Sequence, residues 1–111
     1  MTAKYEMFRS AQNQQYYFRL KAPNGETILQ SEGYLQKNGC QNGVASCREH
    51  SPFDRFYSKL TASDGRPYFT LRAANNQVIG VSQAYGSTAA RDDGIAAVKK
   101  HGSTTVLVDL T

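Results

Sequence analysis

The sequence predicts an α+β fold, built as one antiparallel sheet with two helices packed on it. Two patterns carry this prediction: an internal repeat, and a change of apolar period from 2 to 3.6 residues within each copy. The chain has 111 residues, 40% of them hydrophobic and 20% charged, with a net charge of +4. This size suits a single domain over residues 1–111, which the repeat divides into about 1–52 and 53–111.

The internal repeat organises the whole chain. Residues 17–51 align with residues 68–102 without a gap, and eleven of the 35 aligned pairs are identical, where average composition gives about two. Solenoids and propellers need about three or more repeats for stability. The two copies are therefore expected to pack on each other in one body, as a monomer with internal pseudo-twofold symmetry.

The main strand of each copy has the alternation of a strand with one buried face. The apolar positions are Phe18, Leu20 and Ala22 in the first copy and Phe69, Leu71 and Ala73 in the second. The residues between them are Tyr17, Arg19 and Lys21 in the first copy and Tyr68, Thr70 and Arg72 in the second. We expect the first set to face the core and the second set to face away from it.

Turn signals flank both main strands. Asn24-Gly25 and Asn75-Asn76 follow them, and Asp64-Gly65 precedes the second one. Asn, Asp and Gly tolerate the positive φ that a two-residue hairpin turn requires. Each main strand is therefore predicted to belong to a hairpin.

A helix follows in each copy, because the apolar period becomes 3.6 residues. One stripe contains Cys40, Gly43, Val44 and Cys47, matched in the second copy by Arg91, Gly94, Ile95 and Val98. Glycine inside a helix costs about 1 kcal/mol relative to Ala, so Gly43 and Gly94 predict a close approach of each helix to the sheet. His50 and His101 end the two helices, where a cation complements the helix dipole.

The segments after the helices predict how the copies join. The β-rich segment 105–110 corresponds to residues 54–59 at the repeat offset. We expect Asp54–Thr61 to close the first copy and also to open the second. The final strand is expected to lie beside Lys4–Arg9 and complete the sheet.

Four motifs occur in tandem: YFxL(K/R)A, an Asn-led turn, Ser-x-x-Tyr and G(V/I)AxxxxH. In this combination the chain resembles the YegP-like family of small uncharacterised bacterial proteins. The resemblance implies tandem β-β-β-α-β repeats that form one sheet with exchanged terminal strands. It implies no reaction, cofactor or catalytic residue. The first helix departs from the family pattern, because Cys47-Arg48-Glu49 stands where Val98-Lys99-Lys100 stands in the second copy.

Composition also bears on the location of the protein. No apolar run approaches the 18 residues that a membrane span needs, and the first residues lack the apolar region of a signal peptide. Cys40 and Cys47 are the only cysteines and cannot form a secreted type of disulfide framework. These observations predict a cytoplasmic protein without membrane contact.

The reactive side chains do not form a recognisable catalytic or metal site. On a helix Cys40 and Cys47 are separated by about 10.5 Å of rise, too far for a disulfide or for one shared zinc ion. Cys47 and His50 could supply two of the ligands of a metal, but Val98 at the equivalent position favours a core cysteine. Phosphate-binding loops, zinc-binding helices and nucleophile elbows are also missing from the sequence. We therefore expect that the protein is not an enzyme and that it binds no cofactor and no metal.

The outward side of the main strands is the candidate binding face. It comprises Tyr17, Arg19, Lys21, Tyr68, Thr70 and Arg72, and we expect the two triplets to stand beside each other. The favoured function is a non-enzymatic binding module for a protein or small ligand. The alternative is single-stranded nucleic acid, since aromatic and basic side chains on a bare sheet can stack on bases and neutralise phosphates.

Overall fold

The computed structural model describes residues 2–111. Its strands are β1 (Lys4–Arg9), β2 (Tyr16–Lys21), β3 (Thr27–Gln30), β4 (Tyr57–Thr61), β5 (Pro67–Arg72), β6 (Val78–Val81) and β7 (Leu107–Asp109). Helix α1 spans Lys37–His50 and helix α2 spans Thr88–His101. A short 3-10 turn at Asp54–Phe56 precedes β4.

All seven strands belong to one sheet, in the order β4-β5-β6-β3-β2-β1-β7. The two halves meet where β3 pairs with β6 through Gln30 and Val81. The last strand lies beside the first, with Leu107 opposite Tyr5, as the sequence predicts. This pair is parallel, however, so the sheet is mixed and not wholly antiparallel. The chain crosses from β6 to the far edge of the sheet through helix α2, so β7 is not joined to β1 by the tight hairpin that would force an antiparallel pair.

Each copy ends against the first strand of the other copy. The Tyr5 hydroxyl donates to the carbonyl of Gly102 after α2, and the Tyr57 hydroxyl donates to the carbonyl of Ser51 after α1, both at 2.7 Å. These bonds satisfy carbonyl groups at the ends of the helices. The terminal strand β7 of the second copy thus lies on the first copy, as the resemblance implies for a terminal strand.

The segment Asp54–Thr61 has only one of its two expected roles. It opens the second copy as β4, which pairs with β5 alone among the strands of residues 2–111. The expectation that it also closes the first copy as a strand is wrong. A closing strand would have to lie beside β4, and the same segment cannot pair with itself.

The hairpins confirm the predicted positive φ and correct the predicted turn length. Gly25 has φ 87° and Asn76 has φ 70°. In the first hairpin the Ala22 amide donates to the carbonyl of Glu26, which leaves a loop of three residues instead of two. A three-residue loop places its positive φ at the last loop position, where Gly25 and Asn76 stand.

Tyrosines from the Ser-x-x-Tyr motifs explain the helix glycines. The hydroxyl of Tyr34 lies over Gly43 and that of Tyr85 lies over Gly94, where a Cβ atom would collide with it. The serine of each motif accepts a hydrogen bond from the main strand, as Ser31 does from the Phe18 amide at 2.9 Å. The predicted close approach therefore involves these tyrosines as well as the sheet.

The core lies between the sheet and the two helices. Its largest fully buried side chains are Tyr5, Phe18, Phe69, Met7, Leu20, Leu29 and Leu71. Cys40, Val44 and Cys47 of α1 and Ile95 and Val98 of α2 complete it, as the predicted stripes require.

His50 ends α1 by hydrogen bonding, which differs from the predicted role as a cation. Its Nδ1 lies 2.8 Å from the carbonyl oxygen of Ser46, and its Nε2 accepts from the Ala74 amide at 3.1 Å. A neutral ring with its proton on Nδ1 satisfies both contacts. The ring is buried and links the end of α1 to the turn between β5 and β6.

Candidate binding face

Both helices pack on the same side of the sheet, and the candidate residues lie on the other side. Tyr17, Arg19 and Lys21 are on β2, while Tyr68, Thr70 and Arg72 are on β5. The triplets do not stand beside each other, because β3 and β6 lie between them. At about 4.8 Å per strand this places them about 14 Å apart. The expectation that they adjoin is wrong.

Thr70 is not available on this face. Its residue surface is only 5% exposed, and its hydroxyl has no hydrogen-bond partner within the described chain. Val81 on β6 and Ser58 on β4 are its direct cross-strand neighbours. Thr70 therefore offers almost no surface to a ligand.

Three cations surround one carboxylate on the first half of the face. The Glu6 carboxylate of β1 lies 2.7 Å from Arg19 Nε, 3.5 Å from Lys4 Nζ and 3.6 Å from Lys21 Nζ. The hydrogen bond from Arg19 is the main reason why the pKa of Glu6 is lowered, and Lys21 and Lys4 act in the same direction against the effect of burial. Three positive charges against one negative charge leave this cluster cationic.

An aromatic pair stands next to these charges. The rings of Phe8 and Tyr17 are stacked at 5.7 Å between centroids, and the Arg19 guanidinium lies 4.6 Å from the Phe8 centroid. Asn13 Nδ2 donates to the Tyr17 hydroxyl at 2.8 Å. Arg19 is thus held by both Glu6 and Phe8, while Lys4 and Lys21 make only the longer ionic contacts. We call Lys4, Glu6, Phe8, Tyr17, Arg19 and Lys21 the open-face cluster.

Half of the open-face cluster comes from β1 and was not among the predicted residues. The sequence does indicate which face these three residues occupy, because Lys4, Glu6 and Phe8 alternate with the core residues Tyr5 and Met7. Their meeting with β2 depends on the register, which places Glu6 opposite Arg19 and Phe8 opposite Tyr17. Alternation indicates the face of each residue, but it does not indicate its neighbour.

The second half of the face lacks an equivalent cluster. Ser58 faces Thr70 where Glu6 faces Arg19, and Leu60 faces Tyr68 where Phe8 faces Tyr17. Arg72 donates to the carbonyl of Asn76 within its own hairpin. Among the described residues of this face, the contacts between aromatic and basic groups therefore lie over β1 and β2.

Comparison with known proteins agrees with this fold and with its duplication. The family model described as a domain of unknown function (DUF1508) matches residues 11–57 and again residues 62–109. The chain belongs to the DUF1508 family. It is 50% identical over 111 residues to a UPF0339 protein of Shewanella oneidensis, with 100% of both chains covered. It is 47% identical over 111 residues to the UPF0339 protein YegP of Escherichia coli K12, again with 100% of both chains covered.

Two related proteins with solution NMR structures have the same fold as this DUF1508 chain. The UPF0339 protein of Shewanella oneidensis has a TM-score of 0.93 at 50% identity, and the match covers 100% of this chain and 93% of that one. The yegP protein of E. coli has a TM-score of 0.93 at 46% identity, with 100% and 95% covered. The resemblance to the YegP-like family and the α+β class are therefore confirmed. The names of these relatives state no activity, substrate or ligand.

Some further groups of the DUF1508 chain bear on function. Within residues 2–111 no group of three or more His, Cys, Asp and Glu side chains is arranged to hold a metal ion. No helix in this range is long and apolar enough to cross a membrane. Cys47 is buried with its Sγ 3.8 Å from the carbonyl oxygen of Ile79, so Cys47 and His50 are both occupied within the core.

Both thiols are expected to be unreactive in the folded protein. Cys40 and Cys47 are free and fully buried. Burial raises the pKa of Cys40 to about 11 and that of Cys47 further, and the thiolate is the reactive form. At pH 8 a disulfide reagent such as DTNB should modify neither thiol in the native state and both after unfolding in urea. Modification of one thiol in the native protein at the rate of free cysteine would contradict this burial.

Proposed function

We propose that this protein is a non-enzymatic binding module that holds single-stranded nucleic acid on the open-face cluster. The observation that carries the proposal is the Phe8–Tyr17 pair beside the cationic group on a sheet with helices on one side only. Single strands bind to surfaces where aromatic rings stack on bases and basic side chains track the backbone. Tyr17 supplies the stacking surface, and Lys4 and Lys21 supply the phosphate contacts.

The roles within the cluster follow from its contacts. Glu6 and Phe8 hold Arg19, so its guanidinium orders the cluster and is less free to follow a phosphate. Lys4 and Lys21 lie 3.5 and 3.6 Å from the same carboxylate, and their ammonium groups can turn toward a ligand with little loss of interaction energy. These contacts support a ligand site over β1 and β2, with Tyr68 and Arg72 outside it.

Binding without catalysis is supported by what the reactive side chains do. His50 uses both ring nitrogens in hydrogen bonds, and Cys40 and Cys47 are buried in the core. These three side chains, whose residue types often act as base or nucleophile, are thus committed to the fold. We also propose a cytoplasmic, monomeric protein, which is consistent with the two free thiols and with Lys59 on the edge strand β4.

Fluorescence anisotropy with labelled single-stranded DNA and RNA tests this proposal. We expect binding by the full chain that weakens moderately with salt, as a few phosphate contacts require. The double variant Tyr17→Ala/Lys21→Ala should raise Kd by about tenfold or more, because it removes one stacking surface and one phosphate contact. Tyr68→Ala/Arg72→Ala changes the equivalent positions on β5 and should have little effect.

The comparison of the two double variants tests the position of the binding site. Equal loss of affinity in both double variants would contradict a site on the first half of the face. Absence of binding at low salt would exclude single-stranded nucleic acid as the ligand. Circular dichroism of each variant serves as the control for retention of the sheet.

A further inference from the structure

The outer edge of β4 differs from its counterpart in the first copy. β1 corresponds to β4, because Tyr5 faces Leu20 on β2 as Tyr57 faces Leu71 on β5. β1 carries β7 on its other side, whereas β4 is the last strand of the sheet within residues 2–111. The position equivalent to β7 is therefore open beside β4.

A groove of about 770 Å³ lies at this position, between β4 and α2. Its apolar lining includes Tyr57 of β4 and Ile95 and Ala96 of α2. Its charged lining includes Lys59 and Lys99. The groove is thus bounded by a sheet edge on one side and by a helix on the other, as the site of β7 is.

The site of β7 shows what such a groove accepts. The Tyr5 amide donates to the carbonyl of Val106 at 2.9 Å, and the Leu110 amide donates to the carbonyl of Met7 at 2.8 Å. Leu107 packs against the hydrophobic core. Main-chain bonds therefore hold the strand, and an apolar side chain fills the space beneath α1.

Two basic residues of α1 fix the ends of this strand. Arg48 donates to the carbonyl of Thr104 at 2.8 Å, and the Lys37 ammonium lies 2.7 Å from the carboxylate of Asp109. The strand is thus recognised by one apolar residue and by a carboxylate two positions later.

The β4 groove offers basic groups at comparable places, although Thr88 stands at the repeat position of Lys37. Lys99 stands at the repeat position of Arg48, and Lys59 stands on β4 where Met7 stands on β1. Lys59 lies 3.3 Å from Asp92 and Lys99 lies 2.7 Å from Asp54. The Lys59 pair is about half exposed on both sides, so another carboxylate can replace Asp92 at little cost.

We propose that the groove between β4 and α2 binds an extended peptide of a partner protein, which adds to the sheet parallel to β4. The register of β7 places an apolar residue of this peptide opposite Tyr57 and an acidic residue opposite Lys59. The third lysine of the groove, Lys100, leaves three lysines against two aspartates and favours an acidic peptide. Strand addition at an exposed edge is a common mode of peptide recognition.

A partner protein is a better occupant than a second copy of this chain. The C-terminal strand of every copy is already held in its own site by main-chain bonds and by Lys37 and Arg48. Intramolecular strands have the advantage of high effective concentration. The groove is separate from the open-face cluster, so this proposal does not depend on nucleic-acid binding.

The test uses a synthetic peptide of residues 103–111, STTVLVDLT, as the probe, because this segment has the required apolar and acidic spacing. We expect two-dimensional NMR spectra of the labelled full chain to shift at Tyr57–Lys59 and at residues 95–99 on titration. The same peptide with the substitution Asp109→Lys should bind about tenfold more weakly. Lys59→Glu in the protein should weaken the original peptide similarly, whereas Arg66→Glu makes the same charge change in the neighbouring turn and should not.

Three results would overturn the proposal. The first is the absence of shifts at β4 and α2 at millimolar peptide. The second is a set of shifts confined to β1 and α1, which would mean that the peptide only replaces β7. The third is a concentration-dependent shift at β4 without peptide, which would identify a second copy as the occupant.

Discussion

Deletion of residues 104–111 is expected to lower the free energy of unfolding by about 3–5 kcal/mol, a large part of the total for a domain of this size. The deletion removes β7 and exposes the edge of β1, where Tyr5 and Met7 are fully buried. It also removes the hydrogen bond from the Thr104 hydroxyl to the Ala3 carbonyl at 2.8 Å. Urea denaturation followed by circular dichroism should show a much lower midpoint.

Two point variants keep this prediction testable if the shortened chain does not fold. Leu107→Ala removes a partly buried side chain that packs on the core, and should cost about 1–2 kcal/mol. Leu110→Ala changes a residue that is 53% exposed and should stay within about 0.5 kcal/mol of the parent chain. A shortened chain with an unchanged midpoint would mean that β7 does not hold the sheet together.

The same deletion offers a complementation experiment. Peptide 103–111 added to the shortened chain should raise its midpoint, because it can restore the main-chain bonds to Tyr5 and Met7. The peptide would then act at β1, in contrast to its expected action at β4 in the full chain.

Gly43→Val is expected to destabilise the protein by about 2 kcal/mol or more. A Cβ atom at Gly43 would lie 2.9 Å from Cε2 of Phe18 and would also collide with the Tyr34 hydroxyl. Phe18 is fully buried and cannot move aside without disturbing the core. Overpacking of this kind costs about 1–3 kcal/mol, which exceeds the few tenths that Val gains over Gly in helix propensity.

Gly39→Ala is the matched control on the same helix. A Cβ atom there would make an ordinary contact of 3.4 Å with Tyr34, so the substitution should stabilise α1 by up to about 1 kcal/mol. Opposite signs for the two glycines would show that close packing, and not helix propensity, selects glycine at position 43. Stabilisation by Gly43→Val would contradict the packing of Tyr34 and Phe18.

A double-mutant cycle locates the origin of the effect. Tyr34→Leu combined with Gly43→Ala should cost less than the sum of the two single changes, because removal of the tyrosine makes room for the new methyl group. Additive effects would place the strain elsewhere. Urea midpoints measured under one set of conditions are sufficient for the comparison.

The local elements were predictable because their signals come from residues close together in the chain. The alternation around Phe18 and Leu20 indicated a strand with one buried face, and both are buried. The stripe through Cys40, Gly43 and Val44 indicated the buried side of a helix, and α1 buries it. Periodicity and turn chemistry depend on a few neighbouring residues, so they do not depend on the order or register of the strands.

The candidate face was only partly predictable, because it depends on strand order and register. The repeat aligned β2 with β5, but nothing in the alternation placed β3 and β6 between them. The burial of Thr70 follows from its neighbours in the sheet, and the contact of Glu6 with Arg19 follows from the register of β1. Cross-strand neighbours are set by pairing over long sequence distances.

The sequence by itself determined two copies of one unit, their hairpins and helices, and the pairing of the last strand with the first. Tertiary structure decided the parallel direction of β7, the position of the open-face cluster and the place of β4 at one end of the described sheet. The reason is that the two copies have nearly the same local pattern but different ends. The chain turns at Asp54–Phe56 to enter β4 after the first helix, whereas it continues as β7 after the second.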